Sequence, residues 1–279
     1  MHASALFTGL ATLAFSWSIG FAQQAPSGQI KGNAVQHTSA SAAAVVQRAS
    51  IVLPSQVTGG AIYVGTYSDA PKLVKARVPV IVFLHGSSGL GLKAIGEWQQ
   101  WLASLGVASI APDSFALPDR VTYTSPVSKE FYEKIHALRA SEIGFAVQAL
   151  RNAEWADTSR LVLAGTSEGA TSVARYAGSE FLGRIIYSWS CEDNYFVERH
   201  GTALPPKQSL LNIISSTDPF FSPSNSWLGS VNAKGHCGDA FKEQKSASIV
   251  LIAGAPHTLI NLPTARHATA GFVRDVLNP

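Results

Sequence analysis

Short, continuous apolar runs alternate with Gly-rich or polar turns along most of the chain. The runs lie at residues 80–84, 107–110, 161–164, 185–187, 210–214 and 249–253. Strands that are apolar throughout, rather than at every second position, are typical of a parallel sheet covered by helices on both faces. The pattern therefore predicts a doubly wound sheet with six parallel strands.

Helical stretches and turn signals complete an α/β pattern. Residues 92–105 and 127–154 are predicted helices, and the second carries apolar side chains near a 3.6-residue spacing. Residues 51–53 and 61–66 flank a turn that contains Gly59-Gly60, which predicts two antiparallel strands at an N-terminal edge. We therefore expect one α/β domain over residues 51–279.

The N-terminal region differs in composition from this domain. Residues 1–22 contain no Asp, Glu, Lys or Arg, and their apolar stretch, residues 5–19, is short for a membrane span. This pattern predicts a signal peptide cleaved after Ala22, with an uncleaved anchor as the alternative because the first four residues lack Lys and Arg. Residues 23–50 are rich in Ala, Ser and Gln, which predicts a flexible leader.

Composition and charge narrow the class of protein. The chain has 279 residues, 46% of them hydrophobic and 14% charged, which is enough apolar material for one large core. Its net charge is +3, and no run of Lys or Arg with interleaved aromatic residues is present. This argues against nucleic-acid binding. We expect an exported protein, periplasmic or secreted, without membrane association once the signal is removed.

The chain has two cysteines, Cys191 and Cys237. In an oxidising compartment such a pair can form a disulfide. The alternative is two unrelated buried thiols, and the sequence does not decide between them because it does not give the distance between their Cα atoms.

The pentapeptide GTSEG, residues 165–169, directly follows a predicted strand and precedes a helical stretch. In this setting a G-x-S-x-G sequence is typical of a sharp turn that exposes a nucleophilic serine. Glycines are needed because side chains two residues from the nucleophile would collide with their neighbours. Ser167 is therefore the candidate nucleophile, and the alternative is a Gly-rich turn in which it only caps the helix.

A second Gly-rich loop, residues 85–89, follows the strand at residues 80–84. In α/β-hydrolases the loop at this point supplies one amide of the oxyanion hole, and the residue after the nucleophile supplies the other. We assign these amides to Ser87 and Glu168. His85 is interpreted as a structural histidine.

His257 lies in a turn just beyond the last predicted strand, where a general base can reach Ser167. His200 and His236, in predicted loops, are the rivals for this role. Asp218 follows the strand at residues 210–214 and is the candidate acid that orients the base. The resulting order of nucleophile, acid and base is the one that this fold uses.

Two other acidic residues are alternatives to Asp218. Glu192 and Asp193 follow the strand at residues 185–187, so either could lie at the same sheet edge. In a loop after another strand, Asp113 is interpreted as a structural carboxylate.

Large apolar side chains fall in predicted loops, where their exposure to water is costly. They are Phe115, Phe220, Phe221 and Trp227. Each is a candidate for lining an acyl or aromatic pocket, with core or lid packing as the alternative. Residues 219–238 are long enough to form a lid, which a Cys191–Cys237 bridge would tether.

The chain resembles the dienelactone hydrolase family of α/β-hydrolases. The resemblance runs from about residue 78 to the C-terminus and is carried by VFLHGSSGL at 82–90, APDSF at 111–115, LVLAGTSEGA at 161–170, and Asp218 with GAPH at 254–257. It implies a single-domain α/β-hydrolase. The family has a cysteine nucleophile and an acidic residue after the histidine of the oxyanion loop, where this chain has Ser167 and Gly86.

These departures favour a serine esterase over a hydrolase of diene lactones. The prediction is a serine-dependent carboxylic ester or lactone hydrolase that acts on a small molecule through an acyl-serine, with no metal or cofactor. The alternatives are a peptidase or amidase of the same fold and a binding protein that has lost activity.

Overall fold

The computed structural model describes residues 27–72, 74–229 and 232–278. The predicted signal peptide, residues 1–22, lies outside the described residues. The strands are β1 (Ile30–Lys31), β2 (Ser50–Leu53), β3 (Tyr63–Thr66), β4 (Val78–Leu84), β5 (Ala108–Ala111), β6 (Thr122–Tyr123), β7 (Ala156–Thr166), β8 (Gly183–Tyr187), β9 (Ser209–Ser215) and β10 (Ala247–Ile252). The helices are α1 (Ser39–Gln47), α2 (Ser55–Thr58), α3 (Lys93–Ser104), α4 (Lys129–Arg151), α5 (Glu168–Arg175), α6 (Gly238–Phe241) and α7 (Pro263–Leu277).

Eight of these strands form one sheet in the order β10-β9-β8-β7-β4-β5-β2-β3. The strands from β10 to β5 are parallel, and β2 runs antiparallel to both β5 and β3. This confirms the predicted doubly wound sheet of six parallel strands with an antiparallel N-terminal edge. None of the helices in the described part of the chain is long and apolar enough to cross a membrane.

The centre of the sheet is buried on both faces, as its continuous apolar strands require. In β4, which is buried along its whole length, Val80 and Val82 belong to one core cluster and Ile81 and Phe83 to the other. Helices α4 and α5 cover the first face, and α3 and α7 cover the second. Each face thus has its own apolar core.

The register of the central strands brings two loops together. Leu84 at the end of β4 is paired with Gly165 near the end of β7. The chain therefore leaves both strands at the same sheet edge, so that residues 85–89 and the turn at Ser167 lie side by side.

The flexible leader predicted for residues 23–50 is wrong over its described part, residues 27–50. Helix α1 begins with a capping box between Thr38 and Ser41 and contacts α4. Val45 is fully buried, and β1 pairs with β6. The prediction was wrong because it considered only the few large apolar side chains within this segment. A short helix needs only a small apolar stripe when it packs against another helix.

Candidate active site

Ser167 occupies a strained turn between β7 and α5. Its backbone has φ 55° and ψ −121°, in a region that a residue with a side chain rarely adopts. A Cβ at Gly169 would lie 2.3 Å from the Leu84 carbonyl oxygen, and one at Gly165 would lie 2.8 Å from Cγ2 of Val173. Both glycines of the motif are therefore required for the turn to pack against its neighbours.

His257 is oriented by Asp218. Its Nδ1 lies 2.7 Å from Oδ2 of Asp218, which is fully buried, while the His257 side chain is 20% exposed. The other oxygen of Asp218 accepts hydrogen bonds from the amides of Phe220 at 2.9 Å and Phe221 at 3.1 Å. Because the carboxylate accepts the proton on Nδ1, the Nε2 lone pair of His257 is left free to accept another proton.

Hydroxyl groups at the ends of neighbouring strands hold the loop that carries His257. Ser188, after β8, donates to the His257 carbonyl at 2.6 Å. Ser215, the last residue of β9, donates to the Ala255 carbonyl at 2.7 Å. The position of the imidazole is thus determined by the parallel sheet through two side-chain hydrogen bonds.

Ser167 and His257 line the same cavity, whose volume is about 140 Å³. The other lining residues are Gly86, Ser87, Ser88, Gly89, Leu92, Tyr123, Ser125, Thr166, Tyr195, Phe196, Phe220, Phe221 and Thr258. The hydrogen bonds of the described residues include none between the Ser167 hydroxyl and the His257 ring.

The predicted oxyanion loop runs close to the predicted nucleophile. A Cβ at Gly86 would lie 3.3 Å from Cβ of Ser167, and Ser87 lines the cavity beside it. Glu168 follows Ser167 as the first residue of α5, where the helix has no partner for the amide. These positions are compatible with the predicted pair of oxyanion amides.

His85 is embedded in the structure. Its Nδ1 lies 2.6 Å from the Gly86 carbonyl oxygen, and its Nε2 accepts the Ser114 amide at 3.3 Å. Complete burial, with the nearby guanidinium of Arg139 as a further cause, lowers the pKa of His85 well below its ordinary value. The imidazole is therefore neutral and fully engaged, as expected of a structural histidine.

The rivals for the base and the acid lie elsewhere. His200 and His236 do not line the cavity. Glu192 accepts the Lys234 and Gly235 amides. Asp193 accepts the His200 amide. Asp113 accepts the Phe115 amide at 3.1 Å and caps a short 3-10 helix, consistent with a structural carboxylate.

A buried charge cluster, which the sequence analysis missed, lies beneath the turn at Ser167. Glu168 is fully buried and its Oε1 lies 2.6 Å from Nη2 of Arg120 and 3.4 Å from Nε of Arg139. The Tyr123 hydroxyl donates to Oε2 at 2.8 Å. Burial, followed by the negative charge of Glu168, raises the pKa of Tyr123 well above its ordinary value. Tyr123 therefore remains a neutral hydrogen-bond donor.

Arg139 extends this cluster away from the cavity. It pairs with the buried Glu142 at 2.6 Å and donates to the His85 carbonyl at 2.8 Å. The cluster thus balances two buried arginines against two buried glutamates. It also links the turn at Ser167 to the oxyanion loop through Arg139.

The structure brings two of the four predicted pocket residues to the cavity. Phe220 and Phe221 line the cavity, whereas Phe115 and Trp227 do not. The Phe115 ring is 36% exposed and lies 4.6 Å from the guanidinium of Arg120, and Trp227 packs behind Tyr195. The prediction was wrong for these two because membership of a loop does not show which way a ring faces.

The sequence analysis also missed four residues of the cavity wall, Tyr123, Ser125, Tyr195 and Phe196. No motif marks them. The only signal for Tyr195 and Phe196 is that they are adjacent aromatic residues in a loop, and Tyr123 and Ser125 have none.

Cys191 and Cys237 form a disulfide with a Cα–Cα distance of 4.6 Å. It joins the loop after β8 to the loop after β9. Tyr195 and Phe196 lie in the first loop, and Phe220 and Phe221 in the second. The bond therefore ties together the two loops that supply most of the aromatic cavity wall. No group of three or more metal-binding side chains occurs among residues 27–72, 74–229 and 232–278.

No family model matches the chain, and no curated protein matches its sequence. Several solved structures are similar in fold. A putative dienelactone hydrolase from Klebsiella pneumoniae subsp. pneumoniae MGH 78578 is 14% identical, with a TM-score of 0.51 over 75% of this chain and 90% of that chain. Est1E from Butyrivibrio proteoclasticus, with ferulic acid bound, is 17% identical, with a TM-score of 0.50 over 76% and 94%. TT1662 from Thermus thermophilus is 16% identical, with a TM-score of 0.50 over 74% and 91%. At these identities the comparisons establish the fold.

Proposed function

Because the chain has the α/β-hydrolase fold and resembles the dienelactone hydrolases in structure, we propose that it is a serine-dependent hydrolase of carboxylic esters or lactones. The observation that carries the proposal is the arrangement around one cavity. Ser167 lies on a strained strand-to-helix turn, and it shares the cavity with His257. The Nδ1 of His257 lies 2.7 Å from a buried carboxylate of Asp218.

In the proposed acylation step, Oγ of Ser167 attacks the carbonyl carbon as Nε2 of His257 removes the hydroxyl proton. The electron pair of the C=O bond moves onto the oxygen. The amides of Ser87 and Glu168 donate hydrogen bonds to this oxyanion. Asp218 stabilises the imidazolium that forms and keeps its orientation.

Collapse of the tetrahedral intermediate breaks the bond to the leaving oxygen, which takes the proton from His257. An alcohol departs from an open ester, and in a lactone the new hydroxyl remains attached to the acyl group. Water then repeats the cycle on the acyl-Ser167, with His257 again acting as base. The products are a carboxylic acid and an alcohol, and Ser167 is regenerated.

We also propose that the protein acts outside the cytoplasm, in the periplasm or after secretion. Support comes from the sequence pattern of residues 1–22, which is typical of a signal peptide. The Cys191–Cys237 disulfide is the kind of bond that persists in oxidising compartments.

Covalent labelling tests the nucleophile. We expect the purified protein to gain one adduct from a fluorophosphonate probe, measured by intact mass, and Ser167→Ala to gain none. Ser141→Ala is the matched control, because Ser141 is a surface serine of α4 outside the cavity. An unlabelled wild type, or a labelled Ser167→Ala, would contradict the proposal.

A matched ester and amide with the same acyl group distinguish an esterase from a peptidase or amidase. We expect turnover of the ester only, because an amine is a poorer leaving group than an alcohol. Amide turnover at a comparable kcat/KM would replace the esterase proposal with the amidase alternative.

A further inference from the structure

Aromatic rings form a large part of the wall of the cavity beside Ser167. The rings belong to Tyr123, Tyr195, Phe196, Phe220 and Phe221. They come from three separate segments of the chain, since Tyr123 lies in β6 and the others lie in the loops after β8 and β9. A ligand group in this cavity can therefore contact both the faces and the edges of aromatic rings.

Other rings hold this wall from behind. Phe221 packs edge-on against Trp189, with ring centroids 4.8 Å apart and planes at 90°. Phe196 packs against Tyr132 with a centroid distance of 4.3 Å. Trp189 and Tyr132 are both fully buried. The wall is therefore held in place by buried rings, and a wall with little freedom to move loses less entropy on binding.

The aromatic wall extends to the predicted general base. The Phe220 ring lies 4.7 Å from the His257 ring, at an interplanar angle of 67°. A group that packs on Phe220 therefore lies next to the place where the scissile bond must be. The wall is in position to select the part of the substrate that is adjacent to the reacting carbonyl.

The cavity has no acidic or strongly basic side chain in its described lining, in which His257 is the only histidine. Among the described residues, no Asp, Glu, Lys or Arg lines it, and the polar groups are hydroxyls of Ser, Thr and Tyr. The nearest buried arginine, Arg120, is paired with Glu168 at 2.6 Å. A charged substituent would thus enter the cavity without a counter-ion, at a considerable desolvation cost.

The size of the cavity limits the group that it accepts. Its volume is about 140 Å³, and a dry apolar cavity of roughly 150 Å³ binds one benzene molecule. One six-membered ring therefore matches this volume, and a fused pair of rings exceeds it.

From these observations we propose that the substrate is an uncharged ester with a single aromatic ring close to the scissile carbonyl. The ring packs against the cavity wall while the carbonyl faces Ser167. This inference rests on the proposed function, because it identifies the substrate class of the same site. The ring could belong to the acyl part or to the alcohol part of the ester, and the experiment separates the two.

The test measures acid release at constant pH from matched uncharged esters. The acyl series is methyl phenylacetate, methyl cyclohexylacetate, methyl 2-naphthylacetate and methyl octanoate, in which a methylene keeps the carbonyl reactivity similar. The alcohol pair is benzyl acetate and cyclohexylmethyl acetate. We expect kcat/KM for the phenyl member of one series to exceed that of its cyclohexyl partner about tenfold, or about 1.4 kcal/mol, because aromatic rings contribute contacts with the wall beyond simple burial.

Three outcomes would overturn the inference. Equal or better turnover of the cyclohexyl esters would exclude aromatic selection, and equal turnover of the naphthyl ester would exclude the size limit. Preference for methyl octanoate would indicate an aliphatic substrate. If no ester is hydrolysed while a reference esterase works, the proposed function itself fails, whereas the first three outcomes leave it intact.

A variant pair tests the wall directly. Phe220→Leu is expected to lower the ratio of phenyl to cyclohexyl kcat/KM about fivefold, because it removes one ring contact. Phe145→Leu is the matched control, since its ring lies beside His37, outside the cavity. Thermal unfolding confirms that both variants are folded, and an unchanged ratio in folded Phe220→Leu would contradict the proposed role of the wall.

Discussion

The residue after Ser167 contributes a buried charge to the interior of the protein. The Glu168 carboxylate contacts Arg120, Arg139 and the Tyr123 hydroxyl. Its own amide is one of the two proposed oxyanion donors. The same residue therefore anchors the start of α5 through its side chain and offers its backbone to the reacting oxygen. A glutamate at this fully buried position is therefore stabilised by its two arginine partners.

Replacing this carboxylate is expected to be costly. Glu168→Ala leaves two guanidinium groups without their shared partner, and breaking a buried ion pair costs about 3–5 kcal/mol of the free energy of unfolding. Urea denaturation measures the change. Glu130→Ala is the control, because Glu130 pairs with Lys134 on the exposed face of α4, and we expect only a small fraction of that loss. Similar losses in the two variants would show that the cluster does not stabilise the fold.

The residues of the Ser167 turn were predictable from the sequence, whereas the partners of Glu168 in the buried charge cluster were not. Ser167 and its glycines were predictable because a tight turn imposes its residue types over five positions. Arg120 and Arg139 were not, because their partner lies 48 and 29 residues away and no local rule links an arginine to a distant glutamate. The same reason applies to Tyr195 of the cavity wall.

At the level of elements, α1 shows how a weakly apolar segment becomes part of a domain. Its stripe of Val45 and Val46 is narrow, with Val45 fully buried and Val46 8% exposed. Neither valine would hold an isolated nine-residue helix, since helices of this length are marginal in water. Packing against the much longer α4 supplies the missing stabilisation.

Shortening a buried valine of α1 tests whether this helix is part of the folded domain. Val45→Ala removes two buried methyl groups and is expected to lower the free energy of unfolding by about 2 kcal/mol. Gln47→Ala, on the exposed side of the same helix, should change it by less than about 0.5 kcal/mol. Chemical denaturation of both variants measures the difference. If Val45→Ala is as stable as Gln47→Ala, α1 does not belong to the cooperative unit.

The strands were more predictable than this helix. The parallel strands in the centre of the sheet are buried on both faces and are therefore mostly apolar, which leaves a continuous run in the sequence. The parallel edge strand β10 is partly exposed. β7 is longer than its run, Ala156–Thr166 against residues 161–164, because its first half contains polar residues and begins outside the buried centre. The sequence therefore predicts the central residues of each strand more accurately than the residues at which the strand begins and ends.

At the scale of the whole molecule, the disulfide covalently links two loops of the candidate active site. It closes a loop with a sequence separation of 46 residues, and the chain-entropy model predicts a stabilisation of about 4 kcal/mol for a loop of this length. We expect the double variant Cys191→Ala/Cys237→Ala to lose that amount in urea denaturation. Reduction of the wild type should reproduce the loss, while a reductant should have no effect on the variant. A variant as stable as the wild type would show that packing alone holds the loops.

This bond also determines when in the life of the protein the two loops become covalently joined. The sheet and the turn at Ser167 involve no sulfur, so they can form on a newly made chain in a reducing cytosol. The covalent tie between the two loops forms only after the thiols meet an oxidant. We therefore expect preparations from a reducing cytosol to contain untethered molecules, and the proposed activity towards ring esters to vary with free thiol content.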